Sequence, residues 1–287
     1  MDATQFDLLW DYSRPAESEA RFRVLLPEVA AAPALHAELL TQIARAQGLQ
    51  RRFDDAHRTL DLVEDMLSNG TIRVRIRYLL ERGRVYNSGG DPDRARPYFE
   101  DALHLAKDEP AEAFYAVDAA HMLAIAVPED ALAWNLQALA LAEGATDERA
   151  RHWRGSLLNN IGWIYHEAGD YLAALDYLEQ VLAFRREHGP AAEERIARWC
   201  VARVRRDLGQ VEAALAEQRA LAAEYDDLGE PSGYVFEEIA ECLCRLDKGE
   251  AARPNFARAF ELLSADPWLV ANEPARLERL QRMAEKN

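Results

Sequence analysis

Apolar positions recur at helical spacing along nearly the whole chain, in paired short segments divided by a brief break. The clearest pair spans residues 157–184, LLNNIGWIYHEAGDYLAALDYLEQVLAF. Leu158, Ile161, Gly162 and Tyr165 fall at i, i+3, i+4 and i+7, one face of a helix with a period of about 3.6 residues. Gly169-Asp170 interrupts the pattern, and Ala174, Leu178 and Val181 resume it on one stripe of a second helix. Gly162 and Ala174 matter as much as the large residues, because two helices approach closely only where a side chain is nearly absent. A small residue in the same setting, early in a second helix, recurs at Ala56, Ala95, Ala131, Ala174, Ala214 and Ala252, with successive separations of 39, 36, 43, 40 and 38 residues. Six segments with one two-helix pattern predict a repeat array, in which each unit packs on its neighbours.

The residues of this pair resemble the tetratricopeptide repeat, whose pattern is W-x2-L-G-x2-Y, then G-D/N-Y/F-x2-A, then F and A. Ile161-Gly162, Tyr165, Gly169-Asp170-Tyr171 and Ala174 match, whereas Leu158 replaces the family's Trp and Val181 its Ala. The separations exceed the family's usual length of about 34 residues. In this they are similar to the long repeats of bacterial regulators that sense peptides. The resemblance implies an all-α fold, a right-handed α-solenoid of about six helical hairpins forming one domain over residues 1–287. A half-repeat is expected at 1–31. Repeats follow at about 35–67, 72–107, 111–143, 154–187, 191–226 and 232–264, and a capping helix at 267–286.

Individual residues refine that outline. Pro15, Ser18, Phe22 and Leu25 repeat the spacing of Pro92, Ala95, Phe99 and Ala102, which puts Thr4–Trp10 in a short leading helix. Pro15 suits a first helical turn, and Pro27 should kink or end its helix. The third repeat lacks a Gly-Asp turn before Pro128-Glu129-Asp130-Ala131, so its linking loop is expected to be one residue shorter. Arg205 stands where the family has Tyr, giving the fifth repeat a poorer core.

Charge narrows the partners. Fifty acidic against 34 basic residues give a net charge of −16. Such a field repels phosphate backbones and anionic lipid, and favours a basic or mixed-charge protein or peptide over nucleic acid or a membrane surface. The most apolar run, Ala113–Val127, is broken by Asp118 and His121 and is shorter than the roughly 20 residues of a membrane span. The first residues, MDATQFDLLWDYSRP, lack the basic and apolar regions of a signal peptide, and three cysteines make no disulfide framework. A cytoplasmic protein is the expectation, with homo-oligomers left open.

The sequence contains no G-x-S-x-G, H-E-x-x-H or G-x-G-x-x-G. Asp118 and His121 share a helix face as a hydrogen-bonded structural pair or, less simply, half a metal site. No second ligand pair has matching spacing, so neither catalytic residues nor a metal or other cofactor are expected. Cys242 and Cys244 lie on opposite sides of a helix, and Cys200 is alone. Arg73, Arg75 and Arg77 scatter over several faces, with Arg77 placed for a surface pair with Glu81.

A binding groove remains. In the family the first helices line a concave face, and carrying over its groove positions gives Thr41, Gln42 and Arg45 in the first repeat and Glu81, Arg84 and Asn87 in the second. The third gives Asp118 and His121, the fourth Asn159, Asn160, Trp163 and His166, the fifth Trp199 and Arg203, and the sixth Glu237, Glu238 and Glu241. Trp163 and Trp199 are large rings that the core pattern does not require, and Asn159-Asn160 with Arg203 offers donors for a peptide backbone or carboxylate. On residues alone, both rings could equally pack between repeats. His121, facing such a groove, would titrate near neutral pH. The expected function is a non-enzymatic interaction module for a peptide or protein segment, with a regulatory or peptide-sensing adaptor as its finer form. The alternative is a self-associating scaffold.

Overall fold

Proline at first turns, aspartate at helix N-caps and residues able to adopt positive φ at helix ends punctuate the chain into short helices. The computed structural model describes residues 4–285, and no strand occurs among them. The helices are α1 Thr4–Asp7, α2 Pro15–Val29, α3 Pro33–Leu49, α4 Phe53–Glu64, α5 Ile72–Ser88, α6 Pro92–Ala106, α7 Ala113–Ala126, α8 Ala131–Gly144 and α9 Glu148–His152. They continue as α10 Arg154–Glu167, α11 Tyr171–His188, α12 Ala191–Asp207, α13 Val211–Asp227, α14 Gly233–Arg245, α15 Gly249–Leu263, α16 Pro267–Asn272 and α17 Pro274–Glu285. They cluster into two compact units, Met1–Leu157 and Leu158–Asn287. No helix is long and apolar enough to cross a membrane.

Each hairpin turns in nearly the same way. Arg51, Gly90, Gly169, Gly209 and Asp247 follow first helices with φ between 56° and 90°. In this left-handed region only glycine avoids a steric cost, so Arg51 and Asp247 hold the turn under mild strain. Asp91 and Asp170 then cap the second helices, their carboxylates accepting from the Arg94 and Ala173 backbone N–H at 3.1 Å. The third hairpin differs. Val127 alone separates α7 from a 3-10 turn at Pro128–Asp130 that leads into α8, and no left-handed residue is used.

The small residues set the packing. Ala56, Ala95, Ala174, Ala214 and Ala252 are all buried, while Ala131 is partly exposed. A Cβ on Gly162 would lie 2.8 Å from Leu178 Cγ, and one on Gly83 would lie 2.5 Å from Phe99. In the first unit Phe6, Phe22, Leu39, Ile43 and Leu60 share one core; in the second Ile239, Phe256, Leu263 and Leu280 share another. Asn135 takes the buried place in α8 that Phe99 holds in α6, as Gln218 does in α13.

Several local expectations change. The leading helix is only Thr4–Asp7, and a turn from Phe6 O to Leu9 N follows it. Pro27 does not break α2, which ends two residues later at Val29. The cap is two helices, because Pro274 disfavours helical geometry at Glu273, whose φ is −127°. Residues 148–152, which carry no repeat signal, form α9.

Candidate functional site

Two positions three residues apart on the first helices define the polar faces. They carry Gln42 and Arg45 on α3, Glu81 and Arg84 on α5, Asp118 and His121 on α7, Cys200 and Arg203 on α12, and Glu238 and Glu241 on α14. Within the first unit the later position of one helix bonds the earlier position of the next. Arg45 donates to Glu81 at 3.3 Å, and Arg84 bridges Glu81 and Asp118 at 2.5 Å each. Trp10 serves the half-repeat in the same way, its Nε1 donating to Gln42 Oε1 at 2.9 Å. In the second unit Arg203 faces Glu238 at 3.7 Å, and Glu241 accepts from Arg279 of the cap.

This ladder fixes what those residues can do. Thr41, Gln42, Glu81, Asp118, Glu237 and Glu238 are buried and engaged within the chain. Burial acts to raise the Asp118 pKa, but Arg84 and Arg45 outweigh it and hold the carboxyl below its usual value. Glu238 goes the other way. Burial pushes it up to about 7 despite Arg206 at 2.7 Å and the nearby Arg203. Burial, and after it Arg84, hold the His121 pKa below its usual value, which favours the neutral ring. Asp118 spends its oxygens on Arg84, and no group of three His, Cys, Asp or Glu side chains that could hold a metal occurs among the described residues. Arg77 is no surface partner of Glu81: it is buried, and it donates to Glu38 and Asp7 at 3.2 Å.

The second unit carries an open pocket of about 710 Å³ lined by Asn159, Trp163, His166, Trp199, Cys200 and Arg203. The two indole rings lie 6.3 Å apart at 43°, and the Arg203 guanidinium sits 5.2 Å from one centroid and 5.4 Å from the other. Trp199 Nε1 donates to Tyr234 O at 3.2 Å, and His166 pairs with Asp207 at 3.0 Å, so both sides of the shelf are braced. Arg203 Nε finds no hydrogen-bond partner among the described residues. Burial pushes the Cys200 thiol up to about 12, which leaves it protonated and a poor nucleophile. The chemistry on offer is therefore contact with an apolar group and donation to an oxygen. Next to it, Arg206, Glu237, Glu238, Glu241, Arg276 and Arg279 surround a polar pocket of about 420 Å³ in which the acids and arginines pair.

The first unit holds a cavity of about 810 Å³ whose walls include Gln42, Arg45, Arg84 and His121, and also Asp7, Tyr12, Arg77, Phe114, Arg149 and Trp153. The latter group escaped the sequence reading. Asp7, Tyr12, Arg149 and Trp153 lie outside the repeats, and Arg77 has a spacing that suggests a different partner. Asn87 is half-buried near the end of α5, outside the cavity, and Asn160 is half-buried on α10 while its neighbour Asn159 lines the second unit's pocket.

Comparison with known proteins follows the fold. A tetratricopeptide-repeat family model matches residues 119–187, and a second one matches residues 76–109. No curated protein matches the sequence. Among solved structures the chain is similar to the apo form of the quorum sensor NprR from B. thuringiensis, at 15% identity over 99% of this chain and 80% of that one, with a TM-score of 0.63. It is similar at 15% identity and a TM-score of 0.68 to a signal-transduction ATPase with a tetratricopeptide repeat sensor from Pyrococcus horikoshii, covering 96% of this chain and 45% of that one. A tetratricopeptide repeat protein from Parabacteroides merdae shares 14% identity over 96% and 93% of the two chains, with a TM-score of 0.52. At these identities the likeness is one of fold.

Proposed function

The chain is a tetratricopeptide-repeat protein, and we propose that it is a non-enzymatic interaction module holding a peptide or protein segment on the Trp163–Arg203–Trp199 shelf. The observation that carries this reading is Arg203, a guanidinium packed against two indoles in the wall of an open pocket. Rigid aromatic rings and arginine supply much of the energy of protein interfaces, because they bury large areas with few lost rotamers. An apolar side chain of the ligand rests against the rings, and a backbone carbonyl or carboxylate accepts from Arg203. The net charge of −16 favours ligands whose remaining residues are basic or mixed. Likeness in fold to a quorum sensor and to a tetratricopeptide repeat sensor supports a regulatory, peptide-sensing adaptor as the finer form of this reading.

Selection of displayed random peptides against the purified chain tests it. The expected outcome is a family of peptides whose binding falls at least roughly tenfold in Trp163→Ala and in Arg203→Glu, the loss of a hot-spot contact of about 1.4 kcal/mol or more. Peptides that bind both variants as well as the wild type would refute the shelf as the site.

A second reading has its own observation. Trp268 on α16 is 60% exposed, a large apolar ring on the capping segment that suits self-association. Light scattering would then show a mass that rises with concentration, and Trp268→Glu would hold the protein at the monomer mass.

A further inference from the structure

Asp7 joins parts of the first unit that are far apart in sequence. Its Oδ1 accepts from Arg77 Nη2 at 3.2 Å and its Oδ2 from Arg149 Nη1 at 3.0 Å. The two guanidiniums are themselves fixed. That of Arg77 lies 5.4 Å from the Tyr115 centroid and bonds Glu38, and that of Arg149 lies 4.8 Å from the Phe114 centroid and pairs with Asp147. Two arginines from α5 and α9, each set against a ring, thus converge on one carboxylate at the wall of the 810 Å³ cavity. The Arg77 side chain is only 7% exposed, whereas Asp7 and Arg149 are each 39% exposed, so one end of the seat is deep and the other open to solvent.

Asp7 ends the four-residue α1. The surrounding segment has separate anchors: Phe6 is fully buried, Trp10 stacks on Tyr12 and bonds Gln42, and Leu9 O accepts from Arg21 at 3.0 Å. Leu8, beside Asp7, is 85% exposed. The residues on either side of Asp7 are thus held by contacts that do not involve its carboxylate.

We propose that Arg77 and Arg149 form a carboxylate seat for an acidic peptide, and that Asp7 fills the seat until a ligand carboxylate exchanges with it. The ligand class follows from the occupant. One N–H from each guanidinium, directed at a different carboxylate oxygen, matches an Asp or Glu side chain or a peptide C-terminus, and the adjoining cavity has room for neighbouring residues. This seat is separate from the Trp163–Arg203–Trp199 shelf and adds a second, oppositely selective site to the proposed module. Intramolecular occupation sets its strength: a seat filled by its own carboxylate about nine-tenths of the time weakens a competitor roughly tenfold.

The test uses the full chain and labelled hexaglutamate, with hexalysine as control, read by fluorescence anisotropy at about 0.15 M salt, where long-range repulsion is screened. Asp7→Asn, which keeps the shape of the side chain and removes its charge, is expected to tighten hexaglutamate binding roughly tenfold and leave hexalysine unchanged. Adding Arg149→Gln should abolish the gain. Glu148→Gln removes a neighbouring negative charge without opening the seat and should change affinity by less than about twofold. Asp7→Ala provides the same comparison should Asp7→Asn prove unstable by circular dichroism. Three results would overturn the proposal: no gain from either Asp7 variant, a gain that survives Arg149→Gln, or an equal gain from Glu148→Gln. A drop in melting temperature without tighter binding would make Asp7 a structural clasp and refute the seat. Trp163→Ala should leave hexaglutamate binding as it is, so failure here and failure of the shelf can be told apart.

Discussion

Arg84 stands between Glu81 on its own helix and Asp118 on the next repeat, and all three side chains are largely withdrawn from water. Removing one member of such a group leaves buried charge unanswered, which costs more than the group's net contribution to stability. Arg84→Ala is therefore expected to destabilise the first unit by about 3 kcal/mol in chemical denaturation. A cost under about 1 kcal/mol would mean the ladder is ornamental. Glu238 makes an opposite prediction for pH. Its folded pKa is raised from 4.5 to about 7, so the fold favours the protonated acid. The associated stability is fully present below 4.5 and is lost as pH rises through 7. Lowering the pH from 7.5 to 5.5 should raise the melting temperature of the wild type by roughly 2–4 °C relative to Glu238→Gln, in which this contribution is absent. Parallel curves for the two proteins would contradict the assignment.

At the scale of helices, the contacts that matter are those that small residues and turns permit. Gly162 lets α10 rest on Leu178 of α11, and a methyl group there would meet Leu178 at 2.8 Å. Gly162→Ala should cost about 1–3 kcal/mol through overpacking, measured by urea unfolding. Arg51 holds a left-handed turn at φ 59° where other hairpins use glycine. Arg51→Gly should accordingly be neutral or stabilising by up to about 1 kcal/mol, and a loss of stability would show that the Arg51 side chain holds the turn. These features were legible in the sequence because periodicity and glycine report local backbone geometry directly. The hairpin order and the Gly-Asp turns followed from spacing, whereas the face that carries Trp163, Trp199 and Arg203 came from the family resemblance. Spacing does not report which neighbour a long side chain reaches. Arg77 lies four residues before Glu81, yet its guanidinium goes to Glu38 and Asp7. Equally, α9 has no repeat signal, so the cavity wall formed by Arg149 and Trp153 could be seen only in three dimensions.

For the molecule as a whole, the two units present different chemistry. The first offers a cavity in which arginines are already matched by acids, one of them Asp7 from outside the repeats. The second offers an open aromatic shelf around an arginine that faces Glu238 at 3.7 Å. A strongly acidic chain that concentrates arginine at such places repels polyanions at long range while still receiving an oxygen acceptor at short range. The central claim is that the shelf captures a protein segment. Its most direct test is capture from a lysate, read by mass spectrometry. Wild type would be compared with a chain carrying Asn159→Ala, Trp163→Ala and Arg203→Glu, after circular dichroism has shown that both fold. Partners held by the wild type and lost from the variant are the expected result; equal capture by the two proteins would contradict it.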